Sequence, residues 1–327
     1  MTESTLSNKY SDLRIAIGRF LGLDLAPGEW TADEIAIVAM ILKKGLQQFY
    51  FPPRIDNDPP HEWSFLKPTT YMATIASYST GTIAVEEDGT TVTLTDGVWP
   101  TWTATNGTLV VDSVEYEINA RTDNLHIELT SAWTEDTETE AEYTLWHDGN
   151  YDMPDDFGGI EGPLTYEPSE HKPDIRIAGE GTIRNQRGGT STRSYPYYAA
   201  VRPKIMESAD DGQRFEIMFF PVPDDVYTLS YQFRVLADTL ASDEYPYGGA
   251  AHAATIEASC LAAAELQEDD KKGPRYEDFM RLLTASIQID KTSNRQEYFG
   301  YNSDNSDGTV DSLRRRQQSR ATYNGEI

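Results

Sequence analysis

The chain has 327 residues, and its 54 Asp+Glu against 27 Lys+Arg give a formal net charge of −27. That balance argues against whole-surface binding to nucleic acid, which needs cations to displace counterions from phosphates. One cysteine excludes an intramolecular disulfide framework and any Cys-rich zinc site, while 19 Tyr, 11 Phe and 39% apolar residues suffice for a core.

No apolar run approaches the roughly 18–20 residues of a membrane span, and the start MTESTLSNKY lacks the basic and apolar blocks of a secretory signal. The expectation is a soluble acidic protein made in a cytoplasm, with no membrane partner. The charge is uneven along the chain. Residues 71–150 hold 15 acidic residues and only Arg121 as a base, a net of −14, against −2 for 1–70, −8 for 151–246 and −3 for 247–327. Such a step marks a candidate domain boundary.

In chain order, Leu6, Tyr10, Leu13, Ile17 and Phe20 recur at helical spacing and predict a helix within 5–23. Thr31 and Glu34 form a capping-box pattern that starts a second helix, with Ile35, Val38, Leu42, Leu46 and Phe49 on one face. Pro52-Pro53 ends it. From about 71 the period falls to two. Strands are predicted at Thr82–Val85, Thr91–Leu94, Thr108–Val111, Tyr116–Ile118, His126–Leu129 and Tyr143–Trp146. The pairs Asp88-Gly89, Asp96-Gly97 and Asn106-Gly107 supply turns between them.

Residues 155–213, rich in Gly, Pro, Arg and Asp, read as long loops with short strands. The alternation of Phe215, Ile217 and Phe219, then Tyr227, Leu229, Tyr231 and Phe233, about Pro221–Asp225 reads as a hairpin. An Ala-rich helix over 248–268 and a helix carrying Tyr276, Phe279, Leu283 and Ile287 follow, separated by Gly273-Pro274. The polar stretch from 293 onward reads as unstructured in isolation.

Catalytic chemistry needs convergent groups, and the sequence offers few. The five histidines are scattered, with no HExxH or other close pair. Cys260 sits among small apolar residues, where a thiol behaves as a buried hydrophobe. No phosphate-binding glycine motif is present, and Gly179-Glu-Gly181 with Gly188-Gly189 reads as loop. Asp304, Asp307, Gly308 and Asp311 invite a calcium loop, but Ser303 and Arg314 stand where ligands are required. Trp99, Trp102, Trp133 and Trp146 suit either a core or a sugar-stacking platform, and small β modules more often use aromatics as core. Acidic pairs such as Asp155-Asp156 and Asp224-Asp225 carry little information in so acidic a chain.

The order of pieces resembles the head-to-tail adaptor, or connector, proteins of tailed bacteriophages. The resemblance rests on the opening helices ending in Gln48-Phe-Tyr-Phe-Pro-Pro53, the β insertion from SYSTGTIAVEEDG to AEYTLW, and Tyr151-Asp-Met-Pro-Asp-Asp-Phe157. FEIMFFPVPDDVYTLSYQFRV and the closing helix pair complete it. It spans about residues 5–300 in soft motifs that persuade by their order.

The fold expected is α+β, a helical bundle scaffold with a β-hairpin and an inserted small all-β barrel or sandwich domain. The scaffold comprises a helical hairpin (1–70), loops and the β-hairpin (151–246) and a helix pair (247–292). The inserted domain is 71–150, and 293–327 is a flexible tail. The resemblance implies a ring, typically of twelve subunits, in the virion neck beneath the portal. It extends the DNA channel, lets DNA pass without specific binding, and meets tail or nozzle proteins.

By the same resemblance, Arg314, Arg315, Arg316 and Arg320 are candidate portal-docking residues. Ala254, Ala258 and Ala262 are candidate subunit-packing residues. No catalytic residue, metal or cofactor is expected. The alternatives are a carbohydrate-binding or tail-fibre-type module and, last, a hydrolase using paired carboxylates.

Overall fold

At the start of the second helix, the Thr31 amide donates to the Glu34 carboxylate at 2.7 Å and the Glu34 amide donates back to Thr31 Oγ1 at 3.3 Å. This reciprocal cap is one of many local rules obeyed in the computed structural model. The structure describes residues 3–293 apart from 25, 56–58, 105–106, 190–191 and 207–211.

Two helices come first, α1 (Tyr10–Phe20) and α2 (Ala32–Tyr50), followed by strand β1 (Thr69–Ala73). Seven strands then build one curled antiparallel sheet: β2 (Thr82–Val85), β3 (Thr91–Thr95), β4 (Thr108–Val111), β5 (Val114–Arg121), β6 (His126–Leu129), β7 (Glu138–Ala141) and β8 (Thr144–Trp146). Their order is β7-β2-β3-β6-β5-β4-β8. Buried positions alternate with more accessible ones along β2, β3, β4 and β6, so each puts one face inward. Ile83, Val92, Leu109, Ile127 and Leu145 meet there around Trp99 and Trp133. The Asp112-Ser113 turn between β4 and β5 has both residues at positive φ, as a two-residue hairpin turn requires.

The rest of the chain forms β9 (Asn150–Asp152), β10 (Phe157–Tyr166), β11 (Arg176–Ile177), helix α3 (Glu180–Gly188), β12 (Tyr198–Pro203), β13 (Phe215–Phe220) and β14 (Thr228–Val235). Helices α4 (Gly249–Asp269) and α5 (Pro274–Ser293) close it. Two further sheets result, β1-β14-β10 and β11-β12-β13-β9. One apolar core joins them to the helices, bringing Leu13, Leu42 and Phe279 together with Phe157, Ile217 and Tyr231. α4 packs against α1, α2 and α5.

This architecture overturns the expected helical-bundle scaffold. Fourteen strands in three sheets stand beside five α-helices among the described residues, so the chain is β-rich. The predicted hairpin over 215–233 is also absent as a pairing. β13 lies between β12 and β9, whereas β14 lies between β1 and β10. The connecting residues instead engage the 193–194 segment, where the Ser194 amide donates to the Val222 carbonyl at 3.0 Å. Alternation reports which face is buried and says nothing of which neighbour supplies the hydrogen bonds.

The loops expected at 155–213 contain β10, β11, α3 and β12. β10 escapes a period-two reading because Gly158, Gly159, Gly162 and Pro163 interrupt it, with register shifts between Phe157 and Gly159 and between Glu161 and Thr165. The glycine-rich 179–189 stretch is a helix, with Gly179 as its N-cap.

Candidate functional site

α2 has two working faces. On the inner one, Val38, Ile41, Leu42, Leu46 and Phe49 are buried. Gly45 brings α4 close, for a Cβ there would lie 2.6 Å from Cys260 Cα. Ser259 Oγ donates to the Gly45 carbonyl at 2.7 Å. Burial pushes the Cys260 thiol up to about 12, which keeps it protonated and unreactive at neutral pH.

On the outer face, Asp33, Ile37, Met40, Lys44, Gln47 and Phe51 follow at alternating spacings of four and three. Ile37, Met40 and Phe51 are 44%, 41% and 50% exposed. Phe51 separates two grooves, one of about 500 Å³ against α4 at Ala263 and Leu266, the other of about 200 Å³ against 237–239. A second uncovered apolar surface follows β12, where Ile205 and Met206 are 87% and 56% exposed.

The titratable groups act as staples. At the exit from the seven-stranded sheet, the half-buried Arg187 guanidinium of α3 donates to Asn150 Oδ1 at 2.8 Å, the Gly149 carbonyl at 2.9 Å and the Phe219 carbonyl at 2.7 Å. His147 Nδ1 accepts from the Gly149 amide at 3.1 Å, and its ring stacks on Tyr151 at 4.5 Å. Burial, with Arg187 nearby, lowers the His147 pKa to about 4, so the ring stays neutral. Burial raises the Asp148 carboxyl, with partial opposition from the Asn150 amide and Arg187.

Elsewhere, the buried Asp290 of α5 accepts from Ser64 Oγ at 2.5 Å and His61 Nε2 at 2.8 Å. The carboxylate sits between the serine and the histidine, so His61 does not contact Ser64 Oγ as a base would. Burial also lowers the pKa of His252, which packs on Trp63 and Phe65. Glu265 of α4 accepts from the Gly273, Arg275 and Tyr276 amides at 3.0–3.2 Å, capping α5. No group of three or more metal-binding side chains occurs among the described residues. No helix described is long and apolar enough to cross a membrane.

The candidate subunit-packing residues do not share one environment. Ala254 is exposed, Ala258 half-buried and Ala262 buried in the chain's own core. Arg314, Arg315, Arg316 and Arg320 lie outside the described residues, as does the 303–314 stretch weighed for calcium. Trp99 and Trp133 are buried, Trp102 is half-buried beside His147, and Trp146 faces the Arg193 guanidinium at 5.0 Å. The four do not form an open stacking platform. The outer stripe of α2 was missed because one apolar face already accounts for a helix. Its signal, a second set at four-three spacing, was present in the sequence.

The class these features define is a β-rich chain with an acidic seven-stranded insertion and two uncovered apolar surfaces. No known family model matches the chain. No curated protein matches it significantly.

Proposed function

We propose that the chain is a structural head-to-tail adaptor of a tailed bacteriophage. It serves as one subunit of a ring beneath the portal that extends the DNA channel and offers the tail its platform. The observation that carries this reading is the pair of uncovered apolar surfaces on separate elements, the α2 stripe with Phe51 and the Ile205–Met206 pair beyond β12. Uncovered apolar clusters mark protein contacts. A subunit that meets different neighbours on different sides, as ring and tail assembly require, has more than one such surface.

The net charge of −27 supports the same reading, because an acidic lumen repels phosphates and lets DNA slide without adhering. Arg314–Arg316 and Arg320 would pair with portal carboxylates and order their segment on docking. The test is negative-stain imaging and native mass measurement of the chain mixed with portal rings of the same virus. Symmetric rings seated on the portal are expected; unbound chain throughout would overturn the proposal. Removing residues 294–327 should abolish docking while leaving the circular dichroism of the chain unchanged.

A further inference from the structure

We propose that two copies of this chain pair through the outer stripe of α2, antiparallel, with Ile37 of each packing on Met40 of the other and Asp33 meeting Lys44. The stripe Asp33, Ile37, Met40, Lys44, Gln47, Phe51 has the four-three spacing of the seam along which two helices pack. It lies on the side of α2 away from buried Val38, Leu42 and Phe49, and at its centre Ile37 and Met40 are exposed, while Lys44, Gln47 and Phe51 border the groove against α4.

The charges choose the occupant and its direction. An antiparallel pair centred between Ile37 and Met40 puts those two opposite one another twice. Asp33 and Lys44 stand equally far from that centre, about 8 Å along the axis at 1.5 Å per residue. They therefore fall opposite each other twice as well. A parallel pair would place Asp33 on Asp33 and Lys44 on Lys44, which like-charge repulsion disfavours. Lys44 donates to Gln267 Oε1 at 3.2 Å within its own chain, and an ammonium group has three donors to share.

A two-fold pair is closed, so it yields a dimer rather than a ring. The pair covers the α2 stripe, one of the two surfaces that support the adaptor reading, but its test needs no portal and succeeds or fails separately. A dimer could form in a chain that never meets a portal, and rings could form without this pair.

The experiment uses the full chain in sedimentation equilibrium at low salt, as wild type, Asp33→Lys, Lys44→Glu, an equimolar mixture of those two variants, and Met40→Asp. All three positions are exposed, so circular dichroism should not change. The wild type is expected to dimerise and to dissociate as salt is added. Each charge variant turns two attractive pairs into two repulsive ones and should weaken self-association about tenfold. Their mixture restores both pairs and should recover a heterodimer of near wild-type affinity, whereas Met40→Asp should be monomeric. A monomeric wild type, a dimer insensitive to Met40→Asp, or charge variants that fail to recombine would each overturn the pairing.

Discussion

Replacing Gly45 by alanine sets two effects of similar size against each other, and the structure decides between them. In the middle of α2, alanine favours the helix by about 1 kcal/mol over glycine. Against that, the new methyl would lie 2.6 Å from Cys260 Cα, 2.8 Å from its Sγ and 3.0 Å from its amide nitrogen. Two of those contacts are backbone, so no rotamer change relieves them, and α2 and α4 must separate by roughly 1 Å.

Forcing such a methyl into a packed contact costs about 1–3 kcal/mol. Separation also stretches the buried Ser259–Gly45 hydrogen bond, now 2.7 Å and worth about 1 kcal/mol. The balance is a net destabilisation of about 1–3 kcal/mol. Urea unfolding followed by circular dichroism at 222 nm measures it.

Gly181→Ala in α3 is the internal comparison, since nothing lies within 4 Å of its would-be Cβ. The same chemical change should there stabilise by up to about 1 kcal/mol. Adding Cys260→Ala to Gly45→Ala removes only the Sγ contact and should restore stability in part. If Gly45→Ala unfolds at or above the wild-type midpoint, the helices do not approach as closely as described and the reasoning is wrong.

Three more outcomes are expected. His147 has a folded pKa of about 4 against 6.5 in its ordinary state, so only the unfolded chain takes up its proton between those values. Stability from this group is full above pH 6.5 and falls by up to about 3 kcal/mol as pH drops to 4. Asp148, raised by burial, contributes in the opposite sense, so the histidine share is read as wild type minus His147→Gln in urea midpoints across that range. Glu265→Ala leaves three amides at the start of α5 without their acceptor and should lower stability by about 1 kcal/mol, with Glu265→Gln intermediate, in thermal unfolding. Replacing residues 77–147 by a short glycine–serine linker should leave a soluble folded remainder by gel filtration and circular dichroism. The two ends already meet, with the Ile75 amide donating to Tyr151 Oη at 3.1 Å.

Local rules were the legible part of the sequence. Thr31 and Glu34 located the start of α2, and the period-two stretches gave Thr82–Val85, Thr108–Val111 and His126–Leu129 to the residue. What failed was pairing across distance. Phe215–Phe220 and Thr228–Val235 both read as strands and both are, yet they join different sheets because their partners come from elsewhere in the chain. β10 hid behind its glycines, whose lack of side chains removes the alternation that identifies a strand. The staples at Arg187, Asp290 and Glu265 were unreadable for the same reason. Each charge is explained by backbone groups or side chains that only the fold brings near. Ile37, Met40 and Phe51 could have been found, since a helix with apolar residues on opposite faces has more than one surface to cover.

The seven-stranded insertion also bears on how the chain is made. The Gln232 side chain donates to the Lys67 carbonyl across 165 residues, and Ser259 reaches Gly45 across 214. A ribosome adding about 5–20 residues each second would leave the inner face of α2 uncovered for roughly 10–40 s before α4 emerges. Residues 71–150 take about 4–16 s of that interval, and the seven strands within them pair with one another. This segment can fold while the flanking halves wait, and its 15 carboxylates keep the nascent chain apart from its neighbours during the delay. The insertion thereby lengthens the separation of two halves of a core in time as well as in sequence, and it carries more than half of the chain's net negative charge.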